Sequence, residues 1–192
     1  TDALLVVNAV QQTAGNLQIV SDGTLTVVDN GVAGNAVATV DGTVTLEAVA
    51  AQVNDGIQSV DGNITVTADN NISLSDGTLI DAGSGTITLS ADGDITLGRL
   101  LTTNDSTAAV RLTSTAGEIV DGGDTGGADV QATSGRLVIA SATGVGASNA
   151  LETKVDSLEV VNATSGHISI SDASTDALLV VNAVQQTAGN LQ

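Results

Sequence analysis

The sequence predicts an all-β protein, a right-handed parallel β-helix (β-solenoid), on three observations. A four-residue pattern, apolar at its first and third positions, returns about every twenty residues. Turn residues separate the copies, and helical periodicity is absent. The pattern begins as Leu4-Leu5-Val6-Val7, then Leu25-Thr26-Val27-Val28, Val44-Thr45-Leu46-Glu47, Ile64-Thr65-Val66-Thr67 and Ile87-Thr88-Leu89-Ser90. It continues as Val110-Arg111-Leu112-Thr113, Leu137-Val138-Ile139-Ala140 and Leu158-Glu159-Val160-Val161, and restarts at Leu178-Leu179-Val180-Val181. Alternate side chains of a strand face opposite sides, so the first and third positions point inward and the second points out. A strand that recurs at this spacing marks a stacked coil.

The rungs are 19–27 residues long, and eight of them make a larger unit. Residues 175–192 repeat residues 1–18 without a difference. The expected organisation is one full solenoid repeat over 1–174 and the start of the next over 175–192, with no separate domains. The repeat stops in mid-pattern and Met is absent, which suggests a window on a longer array.

Each rung holds further strands. A second one reads Leu17-Gln18-Ile19, Ile72-Ser73-Leu74, Ile95-Thr96-Leu97 and Ile168-Ser169-Ile170. A third closes the coil at Thr78-Leu79-Ile80 and Ala128-Asp129-Val130. Three faces at this coil length suit the right-handed form, since the left-handed form carries a hexapeptide period that is missing here. Corners are written in Gly, Asp, Asn and Ser. Asp22-Gly23, Asp41-Gly42 and Asp61-Gly62 each stand three residues before a first strand, and Ser84-Gly85 and Ser134-Gly135 follow suit. The longest rung carries the glycine-rich stretch 120–129, expected to bulge from the shaft once per repeat.

Composition fits a thin aliphatic core. The 192 residues contain no Phe, Tyr, Trp, Pro, Met or Cys. Aromatics normally fill large cores, whereas a column of stacked Val, Ile and Leu does without them. Regular apolar spacing and strand-forming residues argue against disorder. The net charge is −18, with Arg99, Arg111, Arg136 and Lys154 as the only basic side chains. A nucleic-acid partner needs the opposite field, and an anionic membrane surface is disfavoured for the same reason. No apolar run approaches the roughly 20 residues of a membrane helix. Acidity keeps a long polymer soluble and rods apart. The absence of Cys fits a secreted rod without disulfides.

Gly15-Asn16-Leu17 and Gly23-Thr24-Leu25-Thr26-Val27, the coil length and the Ala/Ser/Thr/Val-rich composition resemble filamentous-haemagglutinin-like large exoproteins and giant bacterial tandem-repeat adhesins. The resemblance runs along the whole chain and transfers no catalytic or binding residue. It implies a secreted or cell-surface, bacterial, right-handed β-helical fibre that serves adhesion or contact with host or neighbouring cells.

Two groups of carboxylates are candidates for a hard cation such as Ca²⁺. Asp121, Asp124 and Asp129 share a glycine-rich loop, and oxygen ligands suit calcium. Their spacing matches neither the EF-hand nor the GGxGxDxUx nonapeptide, and a solvated turn is the plainer account. Asp22, Asp41 and Asp61 are expected to stack at one corner roughly 4.8 Å apart. At that range they repel unless screened or bridged, and hydration with capping of the glycine amides is the plainer account there too. Thr24 and Thr26, Thr43 and Thr45, Asn63 and Thr65, and Thr86 and Thr88 form two expected outward files, resembling the ice-binding face of some β-solenoids. Threonine is also an ordinary outward strand residue, and the files break at Arg111, Val138 and Glu159.

Catalysis is not expected. The basic residues are scattered, and the single histidine, His167, lies beside Ile168 on a strand. No titratable pair is set up for acid–base work. The sequence points to a structural rod, an adhesin stalk or filament building block. The alternative is a self-assembling filament or sheath subunit. Its partner would be itself, end to end, because the last rung repeats the first and neither shows the cap that solenoids normally use. Such contacts do not close, and the expected axial repeat is about 38 Å from eight rungs at roughly 4.8 Å.

Overall fold

A computed structural model describes residues 2–29, 31, 34–186 and 189–192. Among these residues the chain forms eighteen strands and no helix. The strands stack as a β-solenoid of about eight turns, and the pairings between successive coils are parallel. Each coil crosses three faces. On the first, Leu17, Val44, Ile64, Ile87, Val110, Leu137, Leu158 and Val180 lie opposite one another in turn. On the second the file is Leu4, Leu25, Ala51, Ile72, Ile95, Ile119, Val145, Ile168 and Leu191. On the third it is Ala9, Val37, Ile57, Ile80, Leu100, Val130, Thr153 and Asp172.

The alternation read from the sequence sets which side chains enter the core. Leu25, Val27, Val44, Leu46, Ile64, Val66, Ile87 and Leu89 are all buried. Their outward neighbours Thr26, Thr45, Thr65 and Thr88 are half-exposed. From Val44 to Leu158 the expected first-strand file stacks residue on residue. The third-strand segment Leu79–Asp81 and the start of Val130–Ser141 also stand on one face, as expected.

The first coils depart from the expected rungs. Leu25 does not stack on Val44; it lies opposite Ala51 on the second face, and Leu17 takes the place opposite Val44. One strand, Leu17–Val27, runs through both faces, with a register shift between Ser21 and Thr24 that turns the corner. The physical reason is degeneracy. Leu17-Gln18-Ile19 and Leu25-Thr26-Val27 have the same apolar alternation, and either fits the apolar pair Val44 and Leu46. Period-two patterning fixes which side chains point in, and leaves open which coil neighbour they meet.

The repeated segment is also placed differently in its two copies. Near the start, Leu4–Val6 lies on the second face, Ala9–Gln11 on the third, and Leu17 on the first. Near the end, Leu179–Gln185 is one strand on the first face, with Val180 opposite Leu158, and Leu191 bridges Ile168 on the second. The same residues therefore break the strand at Val7-Asn8 in one copy and continue as one strand, with a bulge at Val181, in the other.

Buried hydroxyls close the corners from inside. Where the third face turns into the first, Ser59 Oγ donates to the Gly42 carbonyl at 2.9 Å and accepts from the Gly62 amide at 2.9 Å. Thr39 and Thr102 do the same work in other coils, donating to the carbonyls of Gly42 and Gly85 at 3.1 and 2.6 Å. Ser114 and Ser141 serve the next corner, donating to Gly93 and Gly144 at 2.7 and 2.6 Å. A corner carbonyl turned toward the core would otherwise lose its water without replacement. Asparagines work from outside. Asn16 Oδ1 accepts from the Thr43 amide, Asn63 Oδ1 from Thr86 and Asn71 Oδ1 from Asp94, each one coil on, at 2.9–3.0 Å.

Candidate metal centre

The residues of the long loop converge at the corner between the second and third faces. The strand Ile119–Asp121 delivers Asp121 at its end. The chain then leaves the shaft for 122–128 and returns through Asp129 into the strand Val130–Ser141. Rather than bulging freely, the loop folds back along the shaft. The amide and hydroxyl of Thr125 both donate to the carboxylate of Asp76, two coils below, at 3.0 and 2.5 Å. The intervening coil makes room by turning the same corner in one residue, Gly98, between Ile95–Leu97 and Arg99–Leu101. Residues 124–127 remain exposed.

At the end of the loop, one residue before the strand Val130–Ser141, Asp129 is wholly buried. Its Oδ2 accepts from the Glu152 amide at 2.9 Å. Glu152 belongs to the next coil, on the strand Leu151–Asn162, whose Thr153 lies opposite Val130. Asp121 Oδ1 accepts from the Gly123 amide at 2.7 Å. Asn149 donates through Nδ2 to Asp121 and, at 3.3 Å, to Asp124 Oδ1. One carboxylate oxygen each from Asp121, Asp129 and Glu152 lies within 4.8 Å of the other two.

The electrostatics follow from this crowding. Burial pushes the Asp129 carboxyl up to about 8, the Glu152 amide opposes the rise, and the charges of Asp121 and Glu152 add to it. Burial also raises Glu152, with Asp121 and Asp124 contributing through their charge. The unfolded value for Asp129 is 3.8. Between that pH and about 8 the folded chain holds a proton that the unfolded chain has lost, so stability falls as pH rises. With divalent ions chelated, the melting temperature should drop from pH 5 to pH 8 by several degrees more in the wild type than in Asp129→Asn. Parallel pH profiles for the two proteins would refute this reading.

Of the candidates read from the sequence, Asp121 and Asp129 come together. Asp124 stands at the rim, joined through Asn149. Glu152 was missed, because it enters from the following coil and only the strand register reveals it. The column Asp22, Asp41, Asp61 is not assembled as expected. Asp41 and Asp61 share the corner between the third and first faces, fixed by the pairing of Val44 with Ile64. Asp22 sits at a different corner, within Leu17–Val27, since Leu25 lies on the second face. Asp61 accepts from Ser84 Oγ at 3.0 Å.

The threonine files are likewise shorter than expected. Thr45, Thr65 and Thr88 face one another in sequence, but Thr26 pairs with Gln52, and Gln18 and Arg111 flank the file. His167 Nδ1 accepts from the Asn190 amide at 2.8 Å. The ion pair among the described residues is Arg136 with Glu159, at 3.8 Å. Among them, too, no helix is long and apolar enough to cross a membrane.

No protein-family model, curated protein or solved structure matches the chain.

Proposed function

We propose that this chain is a structural rod, a segment of an extracellular or cell-surface fibre in which coils stack along one axis. The observation that supports it is the continuous aliphatic core. Files of Leu, Ile, Val and Ala pass from coil to coil, giving way on the third face to Thr153 and Asp172, so length can be added by repeating the unit. The identical sequence of residues 1–18 and 175–192 supplies such a repetition. The net charge of −18 would keep neighbouring rods apart laterally. Adhesion, a right-handed coil and bacterial secretion belong to this proposal through the resemblance to large exoproteins.

A second reading, self-assembly end to end, is favoured by the identity of residues 1–18 and 175–192. A solenoid coil pairs with its neighbour through strand edges and apolar alternation, and any two copies of the repeat match in both. Light scattering and electron microscopy of the purified 192-residue chain should show rods one solenoid wide, growing in length with concentration. A particle of fixed length at every concentration would overturn end-to-end assembly while leaving the covalent rod in place.

A further inference from the structure

The cluster of Asp121, Asp129 and Glu152 brings three carboxylates together where water is excluded from one of them. Asp129 has none of its surface exposed, and no donor from another residue reaches its Oδ1. Glu152 Oε2 is buried without a donor as well, and the two carboxyl groups face each other closely enough to share a proton. Two basic side chains stand close by in the strand stack: Lys154, two residues after Glu152 and opposite Gln131, and Arg99, one coil before Asp129. Arg99 packs against the loop, where a Cβ at Gly126 would fall 2.8 Å from its Cδ, and neither forms an ion pair with these carboxylates among the described residues. A buried, unpartnered carboxylate beside two others is stable only when something positive, a proton or a cation, joins them.

We propose that Asp121, Asp129 and Glu152 bind one Ca²⁺, which clamps the 122–128 loop onto the shaft and joins two successive coils. The ligand set favours calcium over a smaller ion. Three carboxylate oxygens within 4.8 Å of one another, on side chains fixed by two different coils, leave an irregular shell to be completed, whereas Mg²⁺ requires near-ideal octahedral geometry at roughly 2.1 Å. Calcium also accepts carbonyl and water oxygens in an irregular shell, and an exposed glycine-rich loop offers both. Gly123, Gly126 and Gly127 all have positive φ, which lets the loop fold closely over the cluster. Asn149 holds Asp121 and Asp124 from the far side and positions the first for the ion.

Equilibrium dialysis of the whole chain against ⁴⁵CaCl₂ at pH 7.5, with and without excess MgCl₂, tests this. One tightly held Ca²⁺ per chain is expected, and a tenfold excess of Mg²⁺ should leave most of it in place. Asp129→Asn and Glu152→Gln should each weaken binding at least thirtyfold, and Asp41→Asn should leave it unchanged. Hydrogen exchange on the unmutated protein gives an independent reading: Ca²⁺ should slow exchange at 122–129 and 149–152 and leave 41–43 alone. The proposal is overturned if the wild type holds no calcium, which would leave the cluster to a proton. It is equally overturned if Asp129→Asn binds as the wild type does, if Asp41→Asn abolishes binding, or if exchange slows elsewhere and not in these segments.

Discussion

Gly62→Ala is expected to destabilise the rod by about 3 kcal/mol, a large effect for the addition of one methyl group. Gly62 turns the corner from the third face to the first, directly over Gly42. A Cβ there would lie 1.8 Å from the Gly42 carbonyl oxygen and 2.3 Å from its carbon. These are backbone atoms of the neighbouring coil, so no flexible side chain can move aside. Parting the two coils would also pull Ser59 from the Gly42 carbonyl, leaving buried polar groups without partners. Asp61→Ala, one residue earlier and exposed, loses only its bond from Ser84 and should cost about 1 kcal/mol or less. Urea unfolding followed by far-ultraviolet circular dichroism compares the two. Equal midpoints would mean that the corners do not stack as closely as described.

Val66→Asp should be as severe, at roughly 4 kcal/mol or more, because it buries a carboxylate with no partner. Val66 is fully buried between Leu46 and Leu89 on the first face. Thr65, its outward neighbour, lies between Thr45 and Thr88. Thr65→Asp keeps its charge in water and should change stability by no more than about 1 kcal/mol. In a stacked repeat each coil contacts only its neighbours, so Val66→Asp should open the rod locally. Hydrogen exchange should rise in the coils around residues 44–90 before it rises near 137–162. Comparable losses from both substitutions would reverse the inside–outside assignment.

The alternation that separates Val66 from Thr65 is legible in the sequence because a strand's side-chain period is two and the inward positions of these coils are aliphatic. Coil register is less legible. Leu17 and Leu25 carry the same pattern, and the choice between them rests on how the chain passes the Ser21–Thr24 corner. The repeated segment shows the same weakness, since one sequence breaks at Val7-Asn8 and continues as a bulged strand through Val181-Asn182. Neighbouring coils settle what local pattern leaves open. The carboxylate cluster was half legible for a related reason. Asp121 and Asp129 are close in sequence and could be read together. Glu152 arrives through the pairing of Val130 with Thr153, and with Thr in place of an apolar residue that strand gives no clear signal. Ser59, Thr39 and Thr102 look like ordinary turn residues, and their burial follows from corner carbonyls that face inward.

The central claim is that residues accumulate along one axis at one strand spacing per coil. Small-angle X-ray scattering and fibre diffraction of proteins carrying one, two and three tandem copies of residues 1–174 test it most directly. The account predicts a constant cross-section, a meridional reflection near 4.8 Å, and a length that grows by about 38 Å with each added copy. A cross-section that grows with copy number, or the absence of a 4.8 Å reflection along the long axis, would contradict it.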